Sequence, residues 1–556
     1  MPEVSSGSTN PRGRMAVSRR GLLAGAGAGA VTGAVAGAVG TWGAEAASAE
    51  PGSAAFGPVT IRPGDPRYDT LLRGNNFRFA GRPDEIRVCG STGQVVRAVS
   101  DAVRSGRRVA VRSGGHCFEN LTGDPAVRML LDLSPMDEVT YDARRRAFAV
   151  QPGATLGHVY RTLFKGWGVT IPAGSCPGVG AGGHFSGGGY GALSRRYGSV
   201  VDHLYGVEVV VADRDGSARA VVATREPGDP NRDLWWAHTG GGGGNFGVVT
   251  RYWLRSPGAT GADPSTLLPP SPQRMSQRAI FWSWEHMTEQ ALTGLLRNFG
   301  TWHERNSAPG SPYAGLYGIL HLSHRAGGTA AMLIAQIDAD LPKADDRVSE
   351  FVSAVTAGVE LTPVLDLRRT MPWLHPMTWP GTGEAGDLLT RRYKIKAGYL
   401  RRRFTEAQLA AVHRNLTNST GGPESGMLLI GYGGQVGALA PEATAIAQRD
   451  VVMKAVYQTI WSEEKDDAAN LAWVRRFYRD VYADSGGVPV PGEVNDGSYI
   501  NYADADLADP QWNTSGVSAL TLYYKDNYPR LQRVKATWDP RNVFRHALAI
   551  EPPRAG

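Results

Sequence analysis

The chain reads as an α+β protein of two domains, the second an antiparallel sheet covered by helices. Three observations predict this. A βαβ-like pattern opens the ordered part, a Pro/Gly-rich break interrupts the chain near 255–274, and strand-like runs separated by amphipathic helices follow it. The 556 residues exceed one ordinary core, and 42% hydrophobic with 20% charged residues is a globular composition.

The first stretch stands apart from the fold. Ser18-Arg19-Arg20-Gly21-Leu22-Leu23 opens a Gly/Ala-rich apolar run to Gly40, and Ala47-Ser48-Ala49 supplies small residues for cleavage. A twin arginine before a weakly apolar segment reads as a Tat export signal over 1–49, so the mature protein is expected outside the cell. An uncleaved anchor is the alternative, disfavoured by the Ala/Gly content and the A-x-A site. No other run approaches the ~20 apolar residues that span a bilayer, so no membrane association is expected after cleavage.

In the first domain (70–254), Ile86-Arg87-Val88-Cys89 reads as a strand. Gln94 to Ser105 carries Val95, Val96, Val99 and Val103 at helical spacing, and Val109-Ala110-Val111 returns to strand. Further strands are expected at Met129-Leu130-Leu131, Ala147 to Val150 and Val207 to Val211. Pro257, Pro264, Pro269, Pro270 and Pro272 then deny regular structure. In the second domain (275–492), strands at Leu316 to Leu322, Met332 to Ile337, Met427 to Tyr432 and Val452 to Trp461 separate helices at Glu285 to Trp302, Ala344 to Ala357 and Thr405 to Asn415. Gly327-Gly328 is a hairpin turn. Residues 493–556 end in a helix that must return to one of the domains.

A net charge of +7 without a long Lys/Arg run gives no nucleic-acid footprint. Cys89, Cys117 and Cys176 are an odd number in a secreted chain, so at least one thiol needs a role other than an intramolecular disulfide. No C-x-x-C pair and no zinc-like set of four ligands occurs, so no metal is expected. Glycine is the oddity: 71 residues, about 13% against a usual ~7%, much of it clustered where backbone can press against a ligand.

Three clusters carry the chemistry. In Arg112-Ser113-Gly114-Gly115-His116 a strand runs into a turn whose N–H groups can cradle an anion, and the histidine faces the same ligand. A loop histidine bonded to backbone is the alternative. The second cluster runs from Pro172 to Gly191 through Gly174, Cys176, Gly178, Val179, Gly180, Gly182 and Gly183. Gly178, Gly180 and Gly183 satisfy G-x-G-x-x-G, but no apolar helical run follows, which argues against a Rossmann turn. A long extended glycine-rich segment beside a flat ring and a pyrophosphate is expected instead. The third, Gly240 to Gly244 with Asn245-Phe246-Gly247-Val248-Val249, is either a similar wall or a flexible tip leading into a buried strand.

These motifs, with Tyr499-Ile500-Asn501-Tyr502, Asn527-Tyr528-Pro529-Arg530-Leu531 and Asp539-Pro540-Arg541-Asn542, resemble the berberine-bridge-enzyme-like branch of FAD-linked oxidases, from residue 70 to the end. The resemblance implies a PCMH-type FAD-binding fold completed by the C-terminal segment. It implies FAD bonded twice, through its 8α-methyl to His116 and through C6 to Cys176. Arg112, Ser113, Gly114, Gly115, Gly174, Gly178, Val179, Gly180, Gly182, Gly183, Asn245, Gly247, Val248, Val249, Tyr499 and Asn501 would line it. Tyr502 would be the base, with Tyr432 a weaker second hydroxyl. Lys525-Asp526 and His546-Ala547 depart from the family pattern and blur the mouth of the site.

The expected activity is oxidation of a small-molecule alcohol, in a sugar, glycoside or secondary metabolite, with hydride passing to flavin N5 and oxygen becoming hydrogen peroxide. The rivals are an oxidative cyclase or desaturase, a dehydrogenase using another acceptor, and a binding protein that kept only the fold. Trp282, Trp373, Trp379 and Trp461 could floor a sugar site, although most are expected in the core.

Overall fold

Three sheets organise residues 56–375 and 391–553, which the computed structural model describes. The expected export signal and Trp379 lie outside those residues. The first sheet has the order Val59–Ile61, Glu85–Val88, Met129–Asp132, Val109–Arg112. Helix Thr92–Arg104 connects two of its strands and buries Val95, Val99 and Val103. Met129–Asp132 inserts between those strands, parallel to both.

The second sheet is antiparallel, in the order Val139–Asp142, Ala147–Val150, Val248–Leu254, Leu204–Ala212, Ala218–Thr224. The third has seven antiparallel strands: Leu365–Pro372, Arg274–Ser283, Thr329–Asp338, Tyr317–Ser323, Ser425–Gly431, Met453–Trp461, Arg392–Leu400. Helices Ala344–Thr356 and Asp467–Val481 pack directly on one face of it, joined by Glu289–Asn306 and Glu406–Thr417. The Pro-rich stretch separates the second sheet from the third. Even so, one apolar cluster, including Leu254, Leu267, Leu268 and Met275, runs across it, and the chain from Ala55 onward groups as one compact unit.

Strands Arg274–Ser283, Leu365–Pro372 and Arg392–Leu400 and helices Leu156–Trp167 and Asp467–Val481 escape the sequence reading. Arg392–Leu400 escapes for a physical reason: Lys394 and Lys396 interrupt its apolar pattern, yet both are buried against carboxylates. The second glycine cluster also corrects the expectation of a fully extended segment. Ala181–Ser186 is a short helix, anchored where the Ala181 and Gly182 N–H groups donate to Ala154 O (2.8 Å) and Pro152 O (2.9 Å).

Candidate active site

A cavity of about 450 Å³ runs between the first two sheets and the open face of the third. Glycine backbone forms one end, from Ser113-Gly114-Gly115, Gly180, Gly182, Gly183 and Gly242 to Gly244; Tyr190, Tyr317, Lys454, Tyr499 and Tyr502 belong to the other. The close approach of two loops explains Gly114 and Gly180. A Cβ on Gly114 would stand 2.4 Å from Gly180 N, and one on Gly180 2.2 Å from Ser113 Oγ. A Cβ on Gly243 would stand 3.9 Å from Ser186 Cβ and 4.0 Å from Gly183 Cα, while one on Gly183 would meet nothing within 4 Å, so Gly183 opens onto free space.

Other glycines serve the protein itself. Gly188 and Gly240 make room for Ile446, and Gly187 for Asn501, whose Oδ1 would meet an added Cβ at 1.9 Å. The Asn501 amide also donates to His184 O (3.0 Å) and to the Tyr499 hydroxyl (2.9 Å), which in turn accepts Gly189 N–H (3.0 Å). Tyr499 and Asn501 thus fix the glycine turn as well as lining the cavity.

His116 follows Gly115, whose φ of 71° turns the chain off strand Val109–Arg112. Its Nδ1 lies 3.0 Å from Asn75 Nδ2, and burial pulls its pKa down to about 4. Cys176 reaches the same cavity on a loop gripped at Gly174: the Tyr160 hydroxyl donates to Gly174 O (2.8 Å) and Gly174 N–H donates to His184 Nε2 (3.0 Å). Burial, then the nearby Lys454 charge, lowers His184 to about 3, so it remains a neutral acceptor. Val179, Asn245, Gly247, Val248 and Val249 also line the cavity.

Arg112 belongs to the cavity lining, and its guanidinium is paired with Asp132 at 2.6 Å and bonded to Leu71 O and Arg73 O. Two expectations change. Gly178 is not among the lining residues; its carbonyl lies against Gly114. Tyr432 is 2% exposed and stacks on Tyr190 (centroids 4.6 Å), one ring behind the cavity wall, with burial pushing its phenol up to about 12. Trp282, Trp373 and Trp461 are core residues outside the lining.

Tyr502 is half-buried at the cavity wall, stacked on Phe118 (5.3 Å, 23°) and edge-on to Tyr499 (5.4 Å). Burial first, then the Cys176 sulfur, pushes its phenol up to about 12. The sequence reading missed the cation beside it. Lys454, 2% exposed, points its Nζ at the rings of Tyr190 (4.2 Å), Tyr499 (4.7 Å) and Tyr502 (5.3 Å). Burial lowers its pKa to about 7. Pairing with Ile430 and Tyr399 places it mid-sheet, so a lysine inside a buried strand was the available signal. Ile319, Leu428 and Ile430 add apolar wall beside it.

Comparison with known proteins decides the family. Residues 83–218 match the model of an FAD binding domain, and 498–551 that of berberine and berberine-like proteins. The aclacinomycin-N/aclacinomycin-A oxidase of Streptomyces galilaeus is 51% identical over 96% of this chain and 98% of that protein. The chain belongs to the berberine-bridge-enzyme-like family of FAD-binding oxidases. The hexose oxidase of Chondrus crispus is 32% identical, covering 87% of this chain and 93% of its own length. A glycopeptide hexose oxidase solved in complex with teicoplanin superposes with a TM-score of 0.85 at 50% identity, over 90% of this chain and 99% of its own. The fold is therefore the two-domain PCMH-type α+β fold, and the protein is an FAD-dependent oxidase of the aclacinomycin and hexose oxidase type.

The cavity fits that cofactor. The glycine-lined end, where an added Cβ on Gly183 would meet nothing within 4 Å, leaves room for a flat ring or a pyrophosphate, and His116 and Cys176 reach the same cavity from separate loops.

Proposed function

We propose that this oxidase acts on a hydroxyl-bearing carbon of a sugar or glycosylated secondary metabolite, with FAD held covalently by both His116 and Cys176. The observation that carries the reading is the meeting of His116, Cys176, Tyr502 and Lys454 on one cavity. When bound, FAD supplies the hydride acceptor and passes its electrons to oxygen, releasing hydrogen peroxide.

The residues do the rest. Tyr502 takes the hydroxyl proton as the carbinol carbon is oxidised. Its phenol is a poor base in apolar surroundings, and a protonated Lys454 against the same rings favours the phenolate. Phe118 and Tyr499 fix the Tyr502 ring, an aromatic contact being worth about 0.5–1.5 kcal/mol. Ile319, Leu428 and Ile430 exclude water from the substrate side. The likeness to oxidases named for aclacinomycin and hexose supports a sugar hydroxyl as the reacting group. Export of the folded, loaded enzyme through the Tat signal belongs to the same proposal, since a covalent cofactor survives dilution outside the cell.

Peroxide release tests the reading, with aclacinomycin A, teicoplanin and D-glucose as first substrates and product mass as the second measurement. Gain of a carbonyl or lactone with stoichiometric peroxide supports it. Ring closure or desaturation of the product, or turnover only with a dye acceptor, contradicts it.

A further inference from the structure

We infer that Lys394 is the hub of a buried ion cluster that sets Tyr502 against the cofactor-bearing loop, acting as a positioning residue through Glu119 and Asp504. The inference rests on the assignment of Tyr502 as the base. Two irregular loops meet at the cavity: the one carrying His116 continues to Phe118 and Glu119, and the one carrying Tyr502 continues to Asp504 and Asp506. Neither has the ladder of a strand or helix at the reacting residue, so something else must fix their separation.

Lys394 joins them from strand Arg392–Leu400. Its Nζ donates to Glu119 Oε2 and lies 2.7 Å from Asp504 Oδ1. Glu119 Oε2 also accepts the Ala505 N–H at 3.2 Å, so the carboxylate touches both the sheet and the Tyr502 loop. Lys396 repeats the arrangement, 2.6 Å from Asp504 and 2.9 Å from Asp506, and Arg475 closes the set 2.7 Å from Asp506.

The five lysine and carboxylate side chains are between 0% and 7% exposed, so water does not screen the pairs. Charge balances within the cluster, three cations against three carboxylates, which lets it stay ionised while buried. One residue before Glu119 and two before Asp504, the same two loops touch again, where Phe118 stacks on Tyr502. A shift of Glu119 relative to Asp504 is therefore a shift of the base relative to the tether. Small displacements of that kind cost rate steeply, because proton transfer needs hydrogen-bond contact with the substrate.

The test uses the flavin-loaded enzyme and whichever of aclacinomycin A, teicoplanin or D-glucose reduces wild-type flavin fastest. Glu119→Gln keeps the shape and an oxygen for Ala505 N–H but removes the charge facing Lys394. The expected result is a folded protein with flavin retained after acid precipitation. Anaerobic flavin reduction at saturating substrate should slow at least tenfold, with substrate affinity within about twofold of wild type. Asp496→Asn is the control, a fully buried carboxylate paired with Arg401 and Lys525 outside the cavity lining. It should lower the melting temperature while leaving flavin reduction unchanged. Lys394→Met is the stronger variant, and if it does not fold, Glu119→Gln alone decides.

A wild-type reduction rate in Glu119→Gln overturns the inference, as does an equal slowing in Asp496→Asn, which would mean general loosening. Tyr502→Phe measured alongside separates the two claims. If that variant is as fast as wild type, the assignment of the base has failed, whatever Glu119 does.

Discussion

Lys454 Nζ lies 5.3 Å from the centre of the Tyr502 ring, with the Tyr499 and Tyr190 rings at 4.7 and 4.2 Å. With Tyr432 at 5.8 Å, one buried side chain thus serves four phenol rings. Replacing it by methionine keeps the volume and removes the charge, leaving the phenol raised by burial with no cation against its ring. Lys454→Met is expected to slow anaerobic flavin reduction by about 10-fold or more, and the deficit should be largest below about pH 7, where the wild-type ammonium is protonated. A pH series of stopped-flow reduction measures both, and an unchanged profile would remove Lys454 from the chemistry.

The two proposed tethers are separable. His116→Ala and Cys176→Ala are each expected to leave one covalent bond to FAD, and the double variant none. Acid precipitation followed by mass measurement of the protein reads this directly. Free flavin in the supernatant of the wild type would refute covalent attachment, while flavin retained by the double variant would place the attachment elsewhere.

Acid stability follows from the buried histidines. Burial holds His184 at about 3 and His238, His321 and His546 at about 4, well below the ordinary value near 6.5. The unfolded chain therefore binds more protons between pH 6.5 and 4, so stability rises with pH across that window and is lost as pH falls through it. Each ring contributes on the order of 1–2 kcal/mol of that loss at pH 5. Melting curves from pH 8 to 4.5 should show a falling Tm below about 6.5, and a flat profile would mean that these rings charge freely in the folded state.

Val179 borders the cavity three residues after Cys176, with its carbonyl held by Leu156 N–H at 2.8 Å. Adding one methylene is a small change for packing, often under about 1.5 kcal/mol, yet enough to fill a space the size of a diatomic molecule. Val179→Ile is expected to keep substrate reduction of the flavin but to slow its reoxidation by oxygen, with a dye acceptor still supporting turnover. Mixing pre-reduced enzyme with aerated buffer checks it; equal reoxidation rates would remove Val179 as a gate.

Much of this site was legible because its chemistry demands particular residues at particular spacing. Gly114 and Gly180 must lack side chains to let two loops meet, and that requirement is written as glycine. What stayed hidden depends on distant partners. Lys394 and Lys396 look like solvated positions until Glu119, Asp504 and Asp506 are brought against them, and Lys454 looks like an interruption of an apolar strand until four tyrosines surround it. Gly188 and Gly240 misled in the other direction, since Ile446 occupies the space beside them. Tyr432 carried the same weakness: a Gly-Tyr-Gly-Gly setting in sequence, but a ring stacked behind Tyr190 in the fold.

In the proposed mechanism Tyr502 takes the substrate proton while FAD takes the hydride. Tyr502→Phe removes one hydroxyl and leaves the stacking on Phe118 intact. Anaerobic stopped-flow reduction of the variant, at matched covalent flavin content, is the most direct test. The expected rate is lower by about 10²-fold or more, the range for loss of a general base, with substrate binding little changed. Reduction at the wild-type rate would contradict it.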